Sequence, residues 1–159
     1  MRFFLAGIMQ GSHVEAKVHE QEYRRQIASL IHEHFPGADV YDPRAEHAES
    51  LDYDEALGRR VFFKHNRMCR EIDVLVAFVP EASMGTAIEM WEARQHGAAV
   101  LTISPLRINW TVQFLSHAIY DDLPAFESAI RRGEAARCIA KVLDGRPAIA
   151  ASSVSRCDE

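Results

Sequence analysis

Ser83, Gly85 and Glu89 form the pattern S-x-G-x-x-x-E, a short turn after the Asp73–Val79 segment, whose last six residues are all apolar. Ser83 is a good N-cap for a helix starting near Met84, and the free N–H groups of the first turn join its hydroxyl as an anion site. Helical side chains lean toward the N-terminus, so Glu89 lies over Gly85 and Thr86, and Gly85 has no side chain to cover the carboxylate. Ile88 and Trp91 point to other faces and are expected to serve the core. A carboxylate so placed reads as a binding or catalytic group. It also fits a surface glutamate on an amphipathic helix, and the residues alone leave both open.

A second candidate is the loop Ala6-Gly7-Ile8-Met9-Gln10-Gly11-Ser12. Its glycines permit close backbone approach, and its exposed N–H groups suit a phosphate or a ribose hydroxyl. It matches neither GxGxxG nor a P-loop ending in GK[ST], and it equally fits a plain turn.

The elements that would position these groups alternate along the chain. Arg2–Ile8 reads as a first strand and Glu15–Phe35 as a helix that Pro36-Gly37 stops. Ala38–Tyr41 is a short strand, followed by a polar loop from Asp42-Pro43 to about Leu51. Asp54–Ile72 is helical, and Asp73–Val79 carries five Val, Leu or Phe in seven residues, as a strand covered on both faces does. Met84–His96 is a helix, Ala98–Ile103 a fourth strand, Asn109–Leu115 a short helix, Ala118–Tyr120 a fifth strand and Leu123–Leu143 a last helix. The expected fold is a single α/β domain over residues 1–144: a flavodoxin-like (Rossmann-like) doubly wound parallel sheet of five strands with helices on both faces. Residues 145–159, rich in Ala and Ser, read as a disordered tail. Such sheets bind ligands at the carboxyl edge, which is where Glu89 and the glycine loop meet.

With 159 residues and a formal charge of −5, the chain has room for one substantial core and no strongly basic face. A nucleic-acid polymer is therefore not expected as a partner. No apolar run reaches membrane length, and Met1–Ile8 is too short for a signal peptide. Cys69, Cys138 and Cys157 are far apart and odd in number, which suggests reduced thiols in a cytoplasmic protein. His32 and His34 lie on different helix faces, and Asp42 with His47 lacks a third partner, so neither a metal nor a cofactor is expected. Asp73 reads as a strand start rather than a catalytic group. Tyr41 leaves the second strand at the ligand edge, where it can wall a pocket, and Met9 and Met84 suit either a ligand's flat face or core gaps.

Three segments, FLAGIMQGS, DVLVAFVPEASMGTAIEMWEA and GAAVLTISP, resemble in order and spacing the nucleoside 2-deoxyribosyltransferase-like family. That family holds nucleoside deoxyribosyltransferases and 2′-deoxynucleoside 5′-monophosphate N-glycosidases. The likeness runs from about Phe3 to Phe126, and Ser83, Gly85 and Glu89 are its most specific element. It implies a small-molecule nucleoside or nucleotide substrate and makes Glu89 the nucleophile that attacks the anomeric carbon. A carboxylate there stabilises oxocarbenium character and captures the sugar as a glycosyl-enzyme.

The departing base needs a proton or a strong hydrogen bond. Family members commonly place an acid eight residues before Asp73, where this chain has His65. A histidine can donate to a purine nitrogen, or stand exposed beside Lys64 and Arg67. Ser83 matches the N-glycosidase branch, where serine contacts phosphate and transferases tend to carry Asp. Gln10 stands where the phosphate loop often has Arg. Asn109 and Thr111 begin the helix after Pro105, where the family reaches into a neighbouring subunit's site, although a plain helix start explains them too. The resemblance thus implies a homodimer or higher homo-oligomer. Loss of the acid leaves a second reading open, a non-catalytic nucleotide-binding or sensor domain.

Overall fold

A computed structural model describes residues 1–8 and 21–146. Five parallel strands form one sheet in the order β2-β1-β3-β4-β5. They are β1 (Arg2–Gly7), β2 (Asp39–Tyr41), β3 (Val74–Phe78), β4 (Ala99–Ile103) and β5 (Ala118–Tyr120). The registers Ala6 with Ala77 and Ala77 with Thr102 align the central strand ends, so their carboxyl termini share one edge. This is the expected doubly wound α/β sheet.

Strand residues are apolar on both faces because helices cover both. On one face Phe3, Leu5, Val76 and Leu101 pack with Ile27, Ile31, Phe126 and Ile139. These come from α1 (Glu22–His34), α6 (Leu123–Arg131) and α7 (Glu134–Asp144). On the other, Phe4, Ala6, Leu75 and Val100 pack with Cys69, Met90 and Ala93. Here lie α3 (Glu55–Met68) and α4 (Met84–Gln95), with α5 (Trp110–Leu115) beyond them. Cys69 and Cys138 form no disulfide.

Two expectations need correction. The last helix is two, because Gly133 takes φ 69° and turns the chain between α6 and α7. The loop after β2 contains α2 (Pro43–Glu46), capped by Asp42, and a 3-10 turn at Ser50–Asp52. The expected first helix is observed from Glu22; its start at Glu15 lies outside the described residues, as does most of the expected tail.

The amino edge of the sheet is clamped. Asp73 accepts from the Arg2 backbone N–H at 2.8 Å. Arg146, just past α7, donates to the carbonyls of Ile72 (2.9 Å) and Gly97 (2.8 Å) and pairs with Asp73. The opposite edge is left for other uses.

Candidate active site

Glu89 stands on the second turn of α4, above the carboxyl end of β1. It lines a cavity of about 430 Å³ between α3 and α4, together with Gly7, Phe62, His65, Asn66, Ser83 and Gly85. A Cβ at Gly85 would meet nothing within 4 Å, so the wall beside Glu89 is open. The side chain is half-buried, and its carboxyl accepts no hydrogen bond from a described group. Burial pushes its pKa up to about 8, against the opposing pull of the Arg24 guanidinium. The site therefore holds a carboxyl group poised between its two protonation states near neutral pH.

His65 shares this cavity from α3, so the structure brings together the two residues expected to be catalytic. Its Nε2 lies 3.1 Å from the Tyr41 hydroxyl, and its ring meets those of Phe4 and His47 edge-on. Lys64 Nζ donates to the same phenol oxygen at 3.5 Å. A neutral imidazole has one N–H and one acceptor nitrogen, and the phenol contact occupies one of the two. Burial first, then the neighbouring His47, Lys64 and Arg24, push the His65 pKa down to about 4. His65 is thus a neutral hydrogen-bonding group, not a reservoir of protons. Tyr41 does not line the cavity; it backs His65 and stacks on Phe4.

Ser83 caps α4. Its Oγ accepts from the Thr86 amide at 3.4 Å and the Thr86 hydroxyl at 3.0 Å, so its own proton is left to donate outward. Ser83 and Met84 also border a second cavity of about 320 Å³ on the other side of the helix start. Asn109 and Thr111 line that cavity rather than the one holding Glu89. Asn109 caps α5 by accepting from Thr111 N–H at 3.0 Å. Gly7 lies in the Glu89 wall, and Ile8 is buried with its carbonyl accepting from Gln21 at 3.0 Å. Met9, Gln10 and Gly11 lie outside the described residues.

Ile88 and Trp91 do not serve the core. They are 42% and 53% exposed, and with Met84 at 85% they form an apolar stripe along α4. Ile108, Trp110 and Phe114 extend exposed apolar surface onto α5 and the loop before it.

Two contributors are not evident in the motifs. Arg24, 2% exposed, donates to the carbonyl of Leu5 (2.9 Å), that of Gly7 (3.3 Å) and the Asp42 carboxylate (2.9 Å). It thereby places a positive charge beneath the Glu89 site. The available signal was a charged residue in line with Ile27 and Ile31 on the apolar stripe of α1. Asn66, 8% exposed, faces the cavity from α3, with Nδ2 donating to the Phe62 carbonyl at 2.9 Å. Among the described residues no three His, Cys, Asp or Glu side chains converge to hold a metal. No helix among them is long and apolar enough to cross a membrane.

No family model matches the sequence, and no curated protein does either. Solved structures do share the fold. A 2-deoxyribosyltransferase from Bacillus psychrosaccharolyticus superposes with a TM-score of 0.59 at 17% identity, over 80% of this chain and 90% of that one. A conserved protein from Enterococcus faecalis V583 gives 0.56 at 15% identity, over 82% and 97%. The CMP N-glycosidase BcmB from Clostridium botulinum gives 0.49 at 20% identity, over 83% and 99%. The five-stranded parallel α/β architecture of this chain is thus one it shares with the deoxyribosyltransferase from B. psychrosaccharolyticus.

Proposed function

We propose that the protein cleaves the N-glycosidic bond of a (deoxy)nucleoside or its 5′-monophosphate, by hydrolysis or base transfer. The observation that carries this is the Glu89 carboxyl, held without a hydrogen-bond partner among the described residues in a cavity that His65 also lines. The S-x-G-x-x-x-E pattern supports it, as does the fold shared with the B. psychrosaccharolyticus 2-deoxyribosyltransferase.

Ionised Glu89 attacks C1′ and forms a glycosyl ester as the C1′–N bond breaks and its electron pair goes to the base. His65, neutral at working pH, offers an N–H hydrogen bond to the departing base rather than a full proton. Water or an acceptor base then attacks C1′ and frees Glu89. The outward-facing Ser83 hydroxyl and the α4 N-terminus attract a 5′-phosphate, and the reading favours nucleotides over free nucleosides on that ground. A second copy of the chain covers the stripe of Met84, Ile88 and Trp91 and brings its Asn109 and Thr111 toward the site.

The test is incubation with nucleosides and 5′-monophosphates, alone and with acceptor bases, with free base followed by chromatography. Base release that Glu89→Gln abolishes supports the reading; undiminished turnover by that variant overturns the mechanism. Base exchange without hydrolysis assigns the transferase chemistry. The two shifted pKa values favour one other reading, binding without cleavage, because at pH 7 the carboxyl is mostly protonated and His65 is not. Nucleotide binding by calorimetry with no base release at any pH selects it.

A further inference from the structure

A base that leaves with the electron pair of a broken C1′–N bond is an anion until it gains a proton. By itself the neutral His65 ring gives such a base a hydrogen bond and not a proton. Among the described residues lining the cavity Glu89 is the one carboxyl, and it is engaged with the sugar. The proton needs another route.

One lies behind the ring. Exposed Lys64, half-buried Tyr41 and His65 follow one another from solvent to the cavity wall. Lys64 Nζ donates to the Tyr41 hydroxyl at 3.5 Å and lies 5.5 Å from the centre of its ring. The same hydroxyl is 3.1 Å from His65 Nε2. The other imidazole nitrogen, Nδ1, has no hydrogen-bond partner among the described residues. The fully buried Phe4 holds both rings in place: Tyr41 stacks on it at 5.6 Å, and His65 meets it edge-on at 6.1 Å. An ammonium only donates, whereas a phenol both accepts and donates. An imidazole can take a proton on one nitrogen as it releases one from the other. Burial, and after it His47, Lys64 and Arg24, disfavour the charged ring, so His65 passes a proton on rather than storing it.

We infer that Lys64 and Tyr41 form a proton relay that makes His65 an acid toward the departing base. The inference rests on the proposed function, which puts the base beside His65. As the C1′–N bond breaks, its electron pair takes the proton of His65 Nδ1. Nε2 takes the phenol proton of Tyr41, and the phenol oxygen takes one from Lys64 Nζ. The step ends with a neutral base, a neutral amine and the imidazole in its other tautomer. A proton then enters at Nδ1 from the attacking water or acceptor base, drives the same transfers backward and recharges Lys64. His65 touches the base; Tyr41 and Lys64 are positioning residues that act through it.

The experiment follows base release from the 5′-monophosphates of deoxyguanosine and deoxycytidine and from their N7- and N3-methylated forms. The methylated bases already carry a positive charge and depart neutral with no added proton. Tyr41→Phe and Lys64→Met should each lower kcat/KM about 100-fold on the plain forms and less than about threefold on the methylated ones. A purely structural fault would lower both alike. Equal losses on the two forms, or no loss on either, overturn the relay and leave the proposed function standing. Where the wild type turns over only the plain forms, the ratio of kcat/KM in H2O to that in D2O decides. A ratio of about two or more that falls to about one in Tyr41→Phe supports the relay, and an unchanged ratio overturns it. Release of base by the wild type from none of the four substrates overturns the proposed function and this inference with it.

Discussion

The Tyr41 hydroxyl lies 3.1 Å from His65 Nε2, and this contact ties the end of β2 to the wall opposite Glu89. It fixes the imidazole ring and uses one of its two nitrogens, so His65 meets a ligand with a single function. With the carboxyl at about 8 and the imidazole at about 4, the usual order of proton affinity is reversed.

That reversal sets the pH dependence. In the proposed mechanism ionised Glu89 is the reactive form, so kcat/KM should climb about tenfold per pH unit below 8 and level off above it. No second inflection should appear at the ordinary histidine range, since His65 stays neutral there. Initial rates of base release between pH 5 and 10 check this; a bell centred between 6 and 7 would contradict it.

Stability should carry the same signature. Glu89 keeps its proton to about pH 8 when folded but releases it near 4.5 when unfolded. The folded state binds more protons in that window and therefore loses stability as pH rises through it. Below the window the penalty is absent, and above it the penalty is full. Glu89→Gln removes it, so the variant should gain on the order of 3 kcal/mol over wild type at pH 9 and nothing at pH 4. Thermal melts at the two pH values read the difference.

Arg24→Met should cost about 3–5 kcal/mol, because Asp42 and two carbonyls of β1 lose a buried cation. It should also move the inflection of the pH–rate profile above 8, since Arg24 is what holds the Glu89 pKa down. Asp42→Asn in the same chain should recover part of the stability and none of the shift. Denaturant melts and the rate profile separate the two effects.

Gly7 has a steric role that its place in a glycine loop does not announce. A Cβ there would overlap the Tyr23 hydroxyl, and the Tyr23 ring cannot yield because it stacks on Phe78 at 4.0 Å. Gly7→Ala should destabilise by about 1–3 kcal/mol, and Tyr23→Phe should rescue much of it. Tyr23→Phe alone should be nearly neutral, since the phenol oxygen has no hydrogen-bond partner within bonding distance among the described residues. Equilibrium unfolding of the three variants gives the answer.

Trp91→Glu tests the second copy. It should turn an oligomer into a monomer by light scattering and lower kcat/KM, with little change in the melting of the monomer, because Trp91 is half exposed in the isolated chain. A wild type that is monomeric at high concentration would contradict the assembly.

The sheet was legible because its strands are apolar on both faces and each is followed by a helix with a polar side. Ser83 and Glu89 were legible because a cap residue and a carboxylate one and a half turns apart have few other arrangements. What escaped depended on contacts between distant segments. The apolar stripe of α1 puts Arg24 on the inward face, but nothing local says that it meets β1 and Asp42, or that Asn66 takes a buried position while Phe62 and Phe63 face outward. The break at Gly133 left a signal that went unread: on one continuous helix Phe126 and Ile130 would lie on one side and Ala135 and Ile139 on the other, so the apolar stripe changes phase there. Ile88 and Trp91 misled for a plainer reason: apolar residues on a helix suggest a core, and sequence does not distinguish a buried apolar stripe from an exposed one.

The Arg146 clamp has a practical consequence. By gripping the carbonyls before β3 and β4, it holds the end of α7 at the edge of the sheet opposite Glu89. A fluorophore or resin linker attached at the end of α7 therefore sits at the rear of the molecule. Immobilised through that end, the protein should present its cavity to the flowing solution with the entrance unobstructed.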